Sequence, residues 1–126
     1  MIACVPVDPN GNVDPRWGRA DRIAIIELND DRIESWHEID VAWSQVHDAG
    51  TPAQHHARVA RFLKSNRVEL VVADHVGEGM VRMLTTMHVS LALGAGGDAR
   101  SAVEGASRSC QRLIVETGVD EYRREE

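Results

Sequence analysis

The chemistry this chain can offer rests on histidines, arginines and one glycine cluster. His47, His55, His56 and His75 fall in predicted loops or in the first turn of a predicted helix. Imidazoles placed there can ligate zinc, iron, copper or nickel, and can hydrogen-bond the sulfides of a cluster. No fixed metal-binding spacing joins them, and each also reads as an ordinary surface or helix-terminus residue. His55 and His56 are adjacent, so on a helix they diverge by about 100° and do not easily serve one site. His37 and His88 fall within strand patterns and read as structural. In Asp14-Pro15-Arg16-Trp17-Gly18-Arg19-Ala20, Arg16 and Arg19 can grip an anion through paired donors while Trp17 stacks or shields. The plainer reading has Trp17 plugging the core and both arginines solvated. Gly94-Ala95-Gly96-Gly97 stands ahead of a predicted helix. The N–H groups of Gly96 and Gly97 could face an anion there, helped by the helix dipole, or simply form a tight turn.

Complete catalytic sets are missing. Ser44 and His47 are three residues apart, but nothing marks their loop as holding an activated nucleophile. Asp8, Asp14 and Asp74 could converge on metal ions in a hydrolase, the weakest of the readings. The spaced glycines of a dinucleotide fold and the Gly-Lys-Ser/Thr of a phosphate loop are both absent, which counts against nucleotide chemistry. Cys4 and Cys110 form no Cys-x-x-Cys unit, so a reduced pair without structural zinc is expected. Cys4 lies inside the first strand pattern and reads as a small buried hydrophobe.

These residues need a scaffold, and the hydrophobic pattern outlines one. Strands are predicted at Ile2–Val7, Asp21–Leu28 and Arg32–Ile39, as an antiparallel meander. A loop over 40–50 leads to Thr51-Pro52-Ala53-Gln54, a helix start with cap, first-turn proline and capping-box glutamine. That helix runs to about Asn66. A buried strand at Val68–Ala73, a helix at Gly77–Thr86 and a fifth strand at His88–Leu93 follow. Asp98 then caps a last helix, whose stripe of Ala102, Ala106, Cys110 and Leu113 reaches about Glu116.

The result is an α/β domain over 1–116 with a charged tail over 117–126. Its five-stranded mixed sheet has the order 3-2-1-4-5, with strand 2 antiparallel and helices on the faces. The loops after strands 1, 3, 4 and 5 then share one edge, where open α/β sheets bind ligands. At 126 residues the chain suits one such domain. Its net charge of −6 argues against a nucleic-acid partner. No run approaches the ~20 apolar residues of a membrane span. The N-terminus enters a strand at once, without a charged-then-apolar signal pattern, so a cytoplasmic location is expected.

Four segments in register, Ala3-Cys-Val-Pro-Val-Asp8, Asp14–Ala20, Asp74-His-Val-Gly77 and Gly94–Gly97, resemble the dinitrogenase iron–molybdenum cofactor biosynthesis family. The resemblance covers residues 1 to about 108. It implies a ribonuclease H-like fold and a link to nitrogen fixation, and does not imply nuclease activity. Members connected with nitrogenase bind the iron–molybdenum cofactor or its iron–sulfur precursors and carry them between assembly proteins. The family commonly has Pro-His-Phe-Gly where this chain has Pro15-Arg16-Trp17-Gly18, and guanidinium cannot coordinate a metal. The family histidine near the start of the first helix corresponds to His55 or His56. His75 stands where many relatives have glycine.

The expectation is therefore a non-enzymatic carrier of an iron–sulfur or iron–molybdenum-type cluster. Metal ligands would come from His55, His56, His75 and His47. Arg16, Trp17, Arg19, Gly96 and Gly97 would hold the rest of the cofactor, with cluster donor and acceptor proteins as partners. The alternative is a module of the same fold that binds a small anion or a partner protein without metal. The sequence leaves the oligomeric state open.

Overall fold

The computed structural model describes residues 1–46 and 49–117. His47, the Cys110 and Leu113 side chains and, past Thr117, the expected charged tail lie outside the described residues.

The innermost strand is also the first. β1 (Ile2–Pro6) pairs antiparallel with β2 (Arg22–Asn29) and parallel with β4 (Leu70–Val72), matching Cys4 to Ile25 on one side and to Val71 on the other. β3 (Arg32–Asp40) flanks β2 antiparallel and β5 (Ser90–Ala92) flanks β4 in parallel. The order is therefore β3-β2-β1-β4-β5, with only β2 reversed, as the hydrophobic pattern predicted.

Burial explains the order. Ala3, Cys4, Val5, Leu70, Val71 and Val72 are fully buried, as strands covered on both faces must be. Their side chains alternate between two cores. Cys4, Ile23 and Val71 meet α2 (Pro52–Ser65) and α3 (Glu78–Thr86) through Val59, Leu63, Met80 and Leu84. Ala3, Val5, Ile26, Leu70 and Val72 meet α4 (Ala99–Thr117) through Ala99 and Val103. Each fully buried aliphatic side chain contributes about 1.5–3 kcal/mol. β3 is the long outer strand. Its charged side chains Glu38 and Asp40, both ion-paired with Arg22, keep that edge hydrophilic.

Helix starts follow their local signals. Thr51 Oγ1 accepts from Gln54 N at 3.2 Å, and Gln54 Oε1 accepts from Thr51 N at 2.8 Å, completing the box that opens α2. Gly50 must be glycine there: its φ is +86°, and a Cβ would lie 2.0 Å from Gln54 Oε1.

Three local features differ from expectation. The loop predicted over 40–50 contains a short helix, α1 (Trp43–Val46), anchored by buried Trp43. Trp17–Arg19 forms a 3-10 turn. The fourth and fifth strands are shorter than predicted. His88 is an exposed turn residue with φ +60°, so β5 starts only at Ser90. His37 lies in β3 with its side chain exposed.

Candidate functional site

Beyond the carboxyl ends of β1 and β4 the chain keeps pairing, through a parallel bridge between Arg16 and His75. That contact brings the loop after β1 against the loop after β4. Between them and the first turns of α2 and α3 lies a cavity of about 410 Å³. Its wall gathers Arg16, Trp17, Arg19, His55, His56 and His75, together with Pro15, Gly18, Val76, Gly77, Gly79 and Met80. Six of the nine residues predicted from sequence therefore meet at one place. The chain has 20 acidic residues and a net charge of −6, yet among the described residues no carboxylate lines this cavity.

Arg16 is held by Asp14. Its backbone N and Nε donate to Asp14 Oδ1, both at 3.0 Å, and its Nη2 donates to Oδ2 at 2.9 Å. Burial, the strongest single influence, pushes the Asp14 carboxyl up. The Arg16 hydrogen bonds and charge together outweigh it and hold the group below the usual carboxylate range. Asp14 in turn raises the Arg16 guanidinium above its ordinary value.

Trp17 is buried and meets Trp43 edge-on, with ring centroids 5.7 Å apart. It plugs the core, as the plainer sequence reading had it, and still forms part of the cavity wall. Its indole N–H is buried without an acceptor among the described residues. A buried donor in that condition costs about 1–3 kcal/mol.

The adjacent histidines do different work, as their angular separation on a helix requires. His55 is buried: its Nε2 donates to the Gly18 carbonyl at 2.8 Å, and its Nδ1 accepts from Arg58 Nη1 at 2.7 Å. With hydrogen on Nε2 and the Nδ1 lone pair engaged, His55 pins the Arg16–Arg19 turn to α2 and has no nitrogen left for a metal. His56 is half-buried beside α3, where a Cβ on Gly79 would come within 3.0 Å of its Cε1. Glycine at position 79 is what allows that ring to lie there. His75 is exposed at the mouth.

Among the described residues no group of three His, Cys, Asp or Glu side chains is placed to hold a metal ion. Two of the three hydrolase carboxylates are otherwise engaged: Asp8 Oδ1 closes its own turn by accepting from Asn10 and Asn12, and Asp14 holds Arg16, while Asp74 is exposed. Ser44 donates to Asp21. Cys4 is free and fully buried, and burial pushes its thiol far up.

Gly96 and Gly97 share the sheet edge but do not line the cavity. Gly97 O accepts from Val13 N at 2.8 Å, tying this loop to the loop after β1. The helix it precedes is already capped, since Asp98 Oδ2 accepts from Ser101 N at 2.9 Å. The start of α3 is different. Gly77 caps it with no side-chain hydrogen bond, and Val81 N makes the first helical bond, to Gly77 O. The N–H groups ahead of Val81 have no intrahelical acceptor, and this helix start is part of the cavity. Glu78 stands in the same turn but outside the lining.

Sequence reasoning missed Arg58, Met80 and the uncapped α3. Arg58 could have been found, because it lies three residues beyond His55 and so on the same helix face. The openness of α3 was visible only as glycine at position 77, a weak signal.

Similar solved structures include the apo form of the orange protein from Desulfovibrio gigas, at 19% identity and TM-score 0.66, covering 94% of this chain and 89% of that one. A Thermotoga protein provisionally assigned as NifB matches at 20% identity and TM-score 0.61, over 85% of this chain and 87% of its own. A Methanocaldococcus jannaschii protein provisionally assigned as a dinitrogenase matches at 10% identity and TM-score 0.60, over 86% and 89%. At these identities the likeness is one of fold. No curated protein sequence matches the chain. A sequence profile does: residues 1–109 match the family described as dinitrogenase iron-molybdenum cofactor, and the chain belongs to that family.

Proposed function

We propose that the chain is a non-enzymatic carrier that holds an iron–sulfur or iron–molybdenum-type cofactor, or a precursor of one, as an anion in this cavity. The observation that carries the reading is a wall with two arginines and, among the described residues, no carboxylate, in a chain of net charge −6. Metal–sulfide clusters are commonly anionic, and guanidinium donors and unpaired helix N–H groups both suit anions. Arg16 and Arg19 supply charge and donors, Trp17 forms the wall, and His56 and His75 are the imidazoles available to touch the cargo. His55 acts indirectly, by holding the turn that carries both arginines. His47 remains a candidate outside the described residues, and Gly96 and Gly97 belong to the neighbouring loop.

A site with few direct ligands suits release as much as capture. It fits partners that donate the cluster and accept it, in the cytoplasm. The strand order and single reversed strand support reading the fold as ribonuclease H-like, with residues 1–116 as the family domain. The second reading, a metal-free small-anion module, is favoured by the lack of a three-ligand group among the described residues.

Anaerobic reconstitution with iron, sulfide and molybdate separates the two, using visible spectra and metal analysis after desalting. Carriage predicts a retained chromophore whose affinity falls at least about tenfold in Arg16→Ala with Arg19→Ala, the worth of one charge-assisted hydrogen bond. No metal retained by the wild type would leave only the metal-free module.

A further inference from the structure

Asp14 is a buried carboxylate beside a cavity that has none among the described residues of its lining. Its side chain is 4% exposed, against 55% for the Arg16 side chain it holds. Three donors from that one residue converge on it, at 2.9 to 3.0 Å. The arrangement fixes the guanidinium plane and balances its charge locally. What remains is one edge of the fork, Nη1 with the second N–H of Nη2, a shape that can take two acceptor atoms of a single anion. A mobile arginine would contribute charge in any direction. A locked one adds direction to its charge, which Asp14 offsets in part.

We propose that Asp14 is a positioning residue that converts Arg16 from a general positive charge into a two-pronged donor, so that the cavity prefers anions presenting paired oxygen or sulfur atoms over single-atom anions. This rests on the anion-holding reading of the cavity and adds the selectivity of that site. Asp14→Asn is the direct probe. Its amide oxygen can still accept from the Arg16 backbone, but its NH₂ faces Nη2 donor against donor and releases the fork.

The test is calorimetric titration of the full chain with sodium sulfate and with sodium iodide at constant ionic strength. Wild type should favour sulfate. Asp14→Asn should lose about tenfold of that preference while still binding iodide. Arg16→Lys keeps the charge without the fork, and its exposed side chain makes it tolerable to the fold should Asp14→Asn not fold. It should lose the same preference, and the two changes together should lose no more. Equal weakening of both anions in Asp14→Asn would mean that the carboxylate only holds the loop, and would overturn the proposal. So would an unchanged preference in Arg16→Lys. Wild type binding both anions equally would overturn this proposal and leave the anion cavity standing; wild type binding neither would overturn both.

Discussion

Helices α3 and α4 both begin at the carboxyl edge of the sheet, and they treat their unpaired N–H groups in opposite ways. At α4 the chain supplies its own anion: Asp98 accepts from both the backbone N and the Oγ of Ser101, and these bonds, the backbone one first, hold its carboxyl below the usual range. At α3 the cap is Gly77, which offers no side chain; arginines and histidines line the cavity on that side, and Glu78 in the same turn stands outside the lining. Both helix starts follow a parallel strand and glycines, so glycine content alone does not separate a structural turn from a binding loop. What separates them is whether a capping side chain closes the first turn, as Asp98 does for α4, or the cap is a glycine with no side chain, as at α3.

The comparison breaks most severely if the wall around α3 collapses. Trp43 packs edge-on against Trp17, His55 and Phe62, at centroid distances of 5.7, 6.0 and 5.5 Å. Trp43→Ala should cost about 3–5 kcal/mol in urea unfolding. A loss below about 1 kcal/mol would show that the cavity side repacks freely.

A milder change makes α3 resemble α4. Gly77 has φ −64° and ψ 156°, ordinary for a capping residue, and no atom lies within 4 Å of a Cβ built there. Gly77→Asp should therefore raise stability by a few tenths of a kcal/mol while suppressing uptake of an anionic cargo. Asp98→Ala is the reciprocal control: it should lower the melting temperature and leave uptake unchanged. Uptake undiminished in Gly77→Asp would detach α3 from the site.

The smallest effect lies in acid. The folded Asp14 carboxyl is held below its unfolded value, near 3.9. A depressed carboxylate stabilises the fold above that unfolded value, and the contribution disappears as pH falls through the folded one. The melting-temperature gap between wild type and Asp14→Asn should hold from pH 7 to 5 and close below about pH 4. A gap that does not narrow at all as pH falls below about 4 would place Asp14's contribution in packing rather than charge.

Much of this was legible in the sequence, and the reasons are physical. Strand order followed from burial on both faces: the run Ala3–Val5 and the run Leu70–Val72 carry no polar residue, so both had to be inner strands. The α2 and α4 starts were readable because their capping side chains are local. The gathering of Arg16, Arg19, His56 and His75 was anticipated from sheet geometry, since loops after parallel strands share an edge. What could not be read were contacts made across the fold. His55 reaches Gly18, 37 residues away, and this decides that its ring braces the cavity wall. Short helices such as α1, and the turn that puts His88 at positive φ, depend on tertiary packing more than on local propensity.

Cys4 offers a way to watch the fold open. Its thiol sits at zero exposure in the innermost strand, and burial suppresses the thiolate that reagents attack. In a Cys110→Ser background its alkylation would thus be gated by separation of the α2–α3 layer from the sheet, turning one side chain into a clock for the opening of that core.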